Sequence, residues 1–118
     1  MQKKSLLIIL TQGPNASSNN QEALDIALAA ASFDQPVSLL FEGDGIYQLL
    51  TEQDPNIAGR KNLSKAMKAF PIYGIDKLYA FSGNTTLLDN KSIEAIAKSV
   101  GEAEYAGLIR SHATVLRF

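Results

Sequence analysis

The chain has 118 residues, 46% of them hydrophobic and 19% charged, a size and balance that suit one domain with a real core. Its formal charge of −1 gives no global attraction to nucleic acid or to an anionic membrane. The longest apolar run, Leu6 to Leu10, is too short for a membrane span or a signal peptide, so a cytoplasmic domain over residues 1–118 is expected.

The run Ser5-Leu6-Leu7-Ile8-Ile9-Leu10-Thr11 is continuously apolar rather than alternating, which predicts a strand covered on both faces of a parallel sheet. After a polar loop, Asn19 and Glu22 give a capping-box start signal. Leu24, Ala27, Leu28 and Ala31 then recur at helical spacing. Val37-Ser38-Leu39-Leu40-Phe41 predicts the second buried strand, broken by Gly43-Asp44-Gly45. Ile46 to Leu50 reads as a short helix. Leu63, Ala66, Met67 and Phe70 mark a further helix, with Pro71 expected to stop it and to push Phe70 out of the α region. Lys77-Leu78-Tyr79-Ala80-Phe81 predicts the third strand.

From Lys91 to Ser111 two signals compete. Ile93, Ile96, Ala97 and Val100 fit one long helix, but Gly101 would sit in its interior at a cost of about 1 kcal/mol relative to Ala. Ser99 and Glu102 also form a second capping box, which belongs at a helix start. The segment therefore divides into a strand at Ile93–Lys98 and a helix at Val100–Arg110, before a last strand at Thr114–Phe118. Strands alternating with helices predict a three-layer α/β/α sandwich whose mostly parallel sheet has about five strands, joined by right-handed crossovers.

No motif carries an evident activity. Gly43-Asp44-Gly45 follows a strand, where open α/β sheets place ligand crevices, yet it lacks the phosphate-binding glycine signatures. It reads as a sharp turn, with Asp44 as cap and the glycines supplying positive φ. The loop Gln12 to Asn19 has one glycine and one proline, a poor phosphate cradle. His112 is the only histidine and has no nucleophile near it in sequence; a place at a helix C-terminus suits it. One histidine and no cysteine leave no transition-metal ligand set, and no cofactor is expected. Arg60, Lys61, Lys65 and Lys68 give one helix a basic side, explained by solvation and lacking the aromatic interleaving of single-strand binders, so no direct nucleic-acid contact is expected. Ile46, Tyr47, Leu49 and Leu50 are more apolar than a short surface helix requires, and divide between core and interface.

The stretch Phe41-Glu42-Gly43-Asp44-Gly45-Ile46-Tyr47-Gln48-Leu49-Leu50 resembles the DsrF-type (TusC-like) chains of the DsrE/DsrF/DsrH sulfur-relay family. Asn20-Gln21-Glu22-Ala23-Leu24-Asp25, Tyr73-Gly74-Ile75-Asp76 and Val115-Leu116-Arg117-Phe118 agree in order and spacing. The resemblance implies a subunit of a hetero-oligomer with TusB-like and TusD-like chains, which passes persulfide sulfur towards 2-thiolation of the tRNA wobble uridine. In sulfur-oxidising bacteria the related assembly serves dissimilatory sulfur metabolism. The family's sulfur-carrying cysteine sits on the TusD-type chain near the end of the third strand; the matching Tyr79-Ala80-Phe81-Ser82 offers no thiol. A non-catalytic subunit is expected, with Tyr47, Leu50 and Phe118 as interface residues. The competing readings are a self-standing homo-oligomeric binding protein and a small flavodoxin-like enzyme.

Overall fold

A computed structural model describes residues 4–11, 19–46, 69–81 and 97–118. Five strands form one all-parallel sheet: β1 (Leu6–Leu10), β2 (Val37–Phe41), β3 (Lys77–Phe81), β4 (Lys98–Val100) and β5 (Thr114–Arg117). Their order is β4-β3-β2-β1-β5, so β1 and β2 are central and each is buried along its whole length. That two-sided burial is why both strands read as unbroken apolar runs.

The side chains of β1 alternate between two cores. Leu6, Ile8 and Leu10 join Leu39 and Phe41 beneath helix α1 (Asn19–Ser32), which contributes Ala23, Leu24, Ala27 and Ala31. Leu7 and Ile9 join Leu40 and Val100 on the other face, beneath helix α2 (Glu102–Ser111) with its half-buried Tyr105, Leu108 and Ile109. The small alanines let α1 lie close on the sheet. The result is the three-layer α/β/α sandwich expected, with α1 and α2 on opposite faces.

α1 ends in a Schellman motif: the amides of Asp34 and Gln35 donate to the carbonyls of Ala31 (2.9 Å) and Ala30 (3.1 Å), with Asp34 left-handed at φ 63°. A second such motif precedes β3 and corrects the role expected of Pro71. The Tyr73 amide donates to the Ala69 carbonyl, so the helical turn runs on through Pro71. Gly74 (φ 82°) is the stop, its amide donating to the Pro71 carbonyl and that of Ile75 to Phe70. Phe70 and Ile75, the hydrophobic pair of the motif, are both buried in the α1-side core. Pro71 cannot itself end the turn because a proline deletes only its own donor, and the closing bonds use other amides.

The division after residue 91 stands, but its boundary moves. The strand is Lys98–Val100 rather than Ile93–Lys98; residues 93–96 lie outside the described ones, and Ala97 is a buried bend. Pairing of Tyr79 with Lys98, Ala80 with Ser99 and Phe81 with Val100 sets the position, together with burial of Val100. Ser99 is thereby held in the strand, so the second capping box does not form. α2 starts two residues later than a Ser99 cap requires: its cap is Gly101, which has extended backbone and makes no side-chain cap bond.

Candidate functional site

Open α/β sheets bind ligands beyond the carboxyl ends of their strands. Here, among the described residues, the chain itself crosses the end of β1. After β2 the backbone turns sharply: the Glu42 amide donates to the Leu10 carbonyl (3.0 Å), and the Gly45 amide to the Glu42 carbonyl (2.9 Å). Gly43 takes φ 54°. Gly45 answers a different need, since a Cβ there would lie 1.9 Å from the Leu10 carbonyl oxygen. The 3-10 turn Gly43–Gly45 therefore sits directly on the end of β1, with the amides of Glu42 before it and Gly45 within it already engaged. The cap position is Glu42, without a side-chain cap bond, while Asp44 is exposed within the first turn rather than capping it. Among the described residues no cluster of three His, Cys, Asp or Glu is placed to hold a metal.

Above the end of β1 lies a charged strap. Arg117 on β5 pairs through Nη1 with Glu42 Oε1, and its Nη2 donates to the Tyr105 hydroxyl (2.8 Å). The Tyr105 ring packs 4.4 Å from that of Phe81 at the end of β3. Burial is the main cause that lifts the Tyr105 phenol above its ordinary pKa, and the Glu42 carboxylate adds to it. Burial disfavours the Arg117 charge, but Glu42 and Tyr105 outweigh it and raise its pKa. Thr11 and Phe118 stitch β1 to β5: the Thr11 amide (2.8 Å) and hydroxyl (2.7 Å) both donate to the Phe118 carbonyl, and the Phe118 amide donates to Ile9 (2.8 Å).

The opposite, amino edge of the sheet holds an open cleft of about 460 Å³ between the starts of β2 and β3 and the C-terminus of α2. His112 caps that helix, its Nδ1 lying 2.7 Å from the Leu108 carbonyl oxygen and its Nε2 lying 3.0 Å from Ser38 Oγ. A position beyond the helix end was legible in the sequence; the Ser38 hydroxyl beside the ring was not. Ser38 is a buried polar side chain in an otherwise apolar strand. That interruption was the available signal, because a buried hydroxyl requires a partner. Glu42, Tyr105 and Arg117 gave no signal, being joined only by the fold across 75 and 12 residues.

Of the expected interface residues, Phe118 is half-buried and packs against the α1-side core. Tyr47 and Leu50 lie outside the described residues, as do the basic residues Arg60, Lys61, Lys65 and Lys68 and most of the Gln12 to Asn19 loop. Phe33, Ile72 and Tyr73 are large apolar side chains exposed at the amino edge, Phe33 at 80% and Ile72 at 82%.

This layered parallel sheet is the DsrE-like class of α/β sandwich. The crystal structure of the ychN protein from E. coli superposes over 100% of both chains with a TM-score of 0.73 at 20% identity. A conserved protein of unknown function from Bacteroides thetaiotaomicron covers 97% of this chain and 95% of its own, with a TM-score of 0.64 at 12% identity. The chain belongs to the DsrE/DsrF-like family, whose sequence pattern matches residues 4–117. A protein TusC homolog from Pseudomonas aeruginosa is 46% identical over 76 residues, which is 64% of each chain. Another from Vibrio parahaemolyticus is 31% identical over 65% of each, so these two matches span just under two-thirds of either relative. A third, from Vibrio vulnificus, is 27% identical over 96% of this chain and 98% of its own.

Proposed function

We propose that the protein is a TusC-type, non-catalytic subunit of a sulfur-relay hetero-oligomer, assembling in the cytoplasm with TusB-like and TusD-like chains to support 2-thiolation of the tRNA wobble uridine. One observation carries the reading: a family member whose sequence resembles the TusC homologs has no cysteine anywhere, so sulfur must travel on another chain. Persulfide relay is attack by, and on, a cysteine sulfur, and a hydroxyl such as that of Ser82 forms no equivalent labile bond. Exposed Phe33, Ile72 and Tyr73 agree with contact between subunits. Tyr47, Leu50 and Phe118 remain the proposed contact residues.

The test is co-expression with TusB-like and TusD-like chains. A stable complex is expected, carrying cysteine-derived sulfur on the TusD-like chain and none on this one when a cysteine desulfurase supplies radiolabel. A chain that stays alone with both partners present would end the proposal, as would stable label on this polypeptide.

A further inference from the structure

The cleft at the amino edge carries chemistry that a subunit role does not use. The Leu108 carbonyl can only accept a hydrogen bond, so in the neutral His112 ring the Nδ1 that faces it carries the proton. Nε2 is then the acceptor, and the Ser38 hydroxyl 3.0 Å away donates to it. A hydroxyl donating to a histidine nitrogen, with the other nitrogen anchored by an acceptor, is the arrangement that activates a serine. A main-chain carbonyl takes the anchoring place usual for a carboxylate. Both side chains line the cleft, whose volume falls within the range of about 300–1,000 Å³ typical of small-molecule sites. Pro36 and Val37 contribute apolar wall. Lys77, paired with Ser38 across the ladder, also lines the cleft and brings a cation to it.

We propose that Ser38 is a base-assisted nucleophile that accepts an acyl group from a small activated ester entering this cleft. Ser38 Oγ bonds to the acyl carbon as its proton passes to His112 Nε2. The ester C–O bond then breaks, and the departing alkoxide or phenolate takes that proton. Water attacking through the same histidine returns free Ser38 and a carboxylic acid, with no change of oxidation state. This chemistry is independent of the sulfur relay, in which alone the chain is read as non-catalytic, and lies at the opposite edge of the sheet from the strap.

The purified full chain is incubated with a fluorophosphonate probe and, separately, with p-nitrophenyl acetate, and the adducts are mapped by peptide mass spectrometry. One adduct is expected, on Ser38, absent from Ser38→Ala and absent when the wild-type chain is unfolded in urea. His112→Gln should slow its formation at least about a hundredfold. Absence of a Ser38 adduct in the folded chain would overturn the proposal, as would equal labelling in the unfolded chain or in His112→Gln. If His112→Gln fails to fold by circular dichroism, the folded and urea-unfolded wild-type chains decide alone. Failure here leaves co-purification with partner chains untouched.

Discussion

Two glycines near the sheet do different work, and substitution separates them. Gly74 stands in the left-handed region, and a methyl group added there would have nothing within 4 Å, so Gly74→Ala meets conformational strain alone, about 1–2 kcal/mol. Gly45→Ala would instead drive a methyl into the Leu10 carbonyl, forcing the turn off β1 at a cost above about 3 kcal/mol. Urea unfolding of both variants should show Gly45→Ala as much the worse. Tyr105 gives a residue-scale pH dependence. Its folded pKa is raised, so its contribution is complete below the unfolded value of about 10 and is lost as pH rises through the folded one. Thermal melts should therefore fall above about pH 10, and Tyr105→Phe should flatten that fall. An equal slope in the variant would assign the loss to other groups.

At the scale of elements, β1, β2, β3 and α1 were legible because one signal dominated each. A run such as Leu6-Leu7-Ile8-Ile9-Leu10 has no helical alternative once both faces are covered. The start of α2 was harder, because Ser99 and Glu102 satisfied a local rule that tertiary pairing overruled: Ser99 is held opposite Ala80 on β3. The turn at Gly74 was misplaced for a related reason. Pro71 is the louder signal, but main-chain bonds to Phe70 and Pro71 close the turn. If Gly101 is the cap of α2 and not an interior residue, Gly101→Asp should stabilise the chain by a few tenths of a kcal/mol. In a helix interior the same change would bring no capping gain. The two side-chain constellations were the least legible parts, since Ser38 and His112 are 74 residues apart and only the parallel sheet brings them together.

At the scale of the whole molecule, the described residues make the two edges of the sheet different. Glu42, Arg117, Tyr105 and the Gly43–Gly45 turn occupy the carboxyl edge, while the amino edge keeps a cleft and exposed apolar side chains. A scaffold of this kind is expected to be judged by what it assembles. Tyr47→Glu would place a charge in the proposed contact and, with the partner surface desolvating it, should weaken assembly by several kcal/mol. Size-exclusion chromatography of the co-expressed complex measures this, with circular dichroism establishing that the variant folds. Co-elution like wild type would remove Tyr47 from the interface.

The placing of β5 beside β1 also sets an order of events in synthesis. Thr11 and Phe118 bond across 107 positions, and Ser5 receives the Ala113 amide across 108. On the ribosome, then, one side of Leu6–Leu10 waits for its neighbour while nearly the whole described sheet is made. An apolar strand with an unpaired flank invites pairing with another chain, and closing so long a loop is slow. Nascent chains halted before Thr114 should thus be the aggregation-prone species, and the interval before β5 arrives is when a chaperone would matter most.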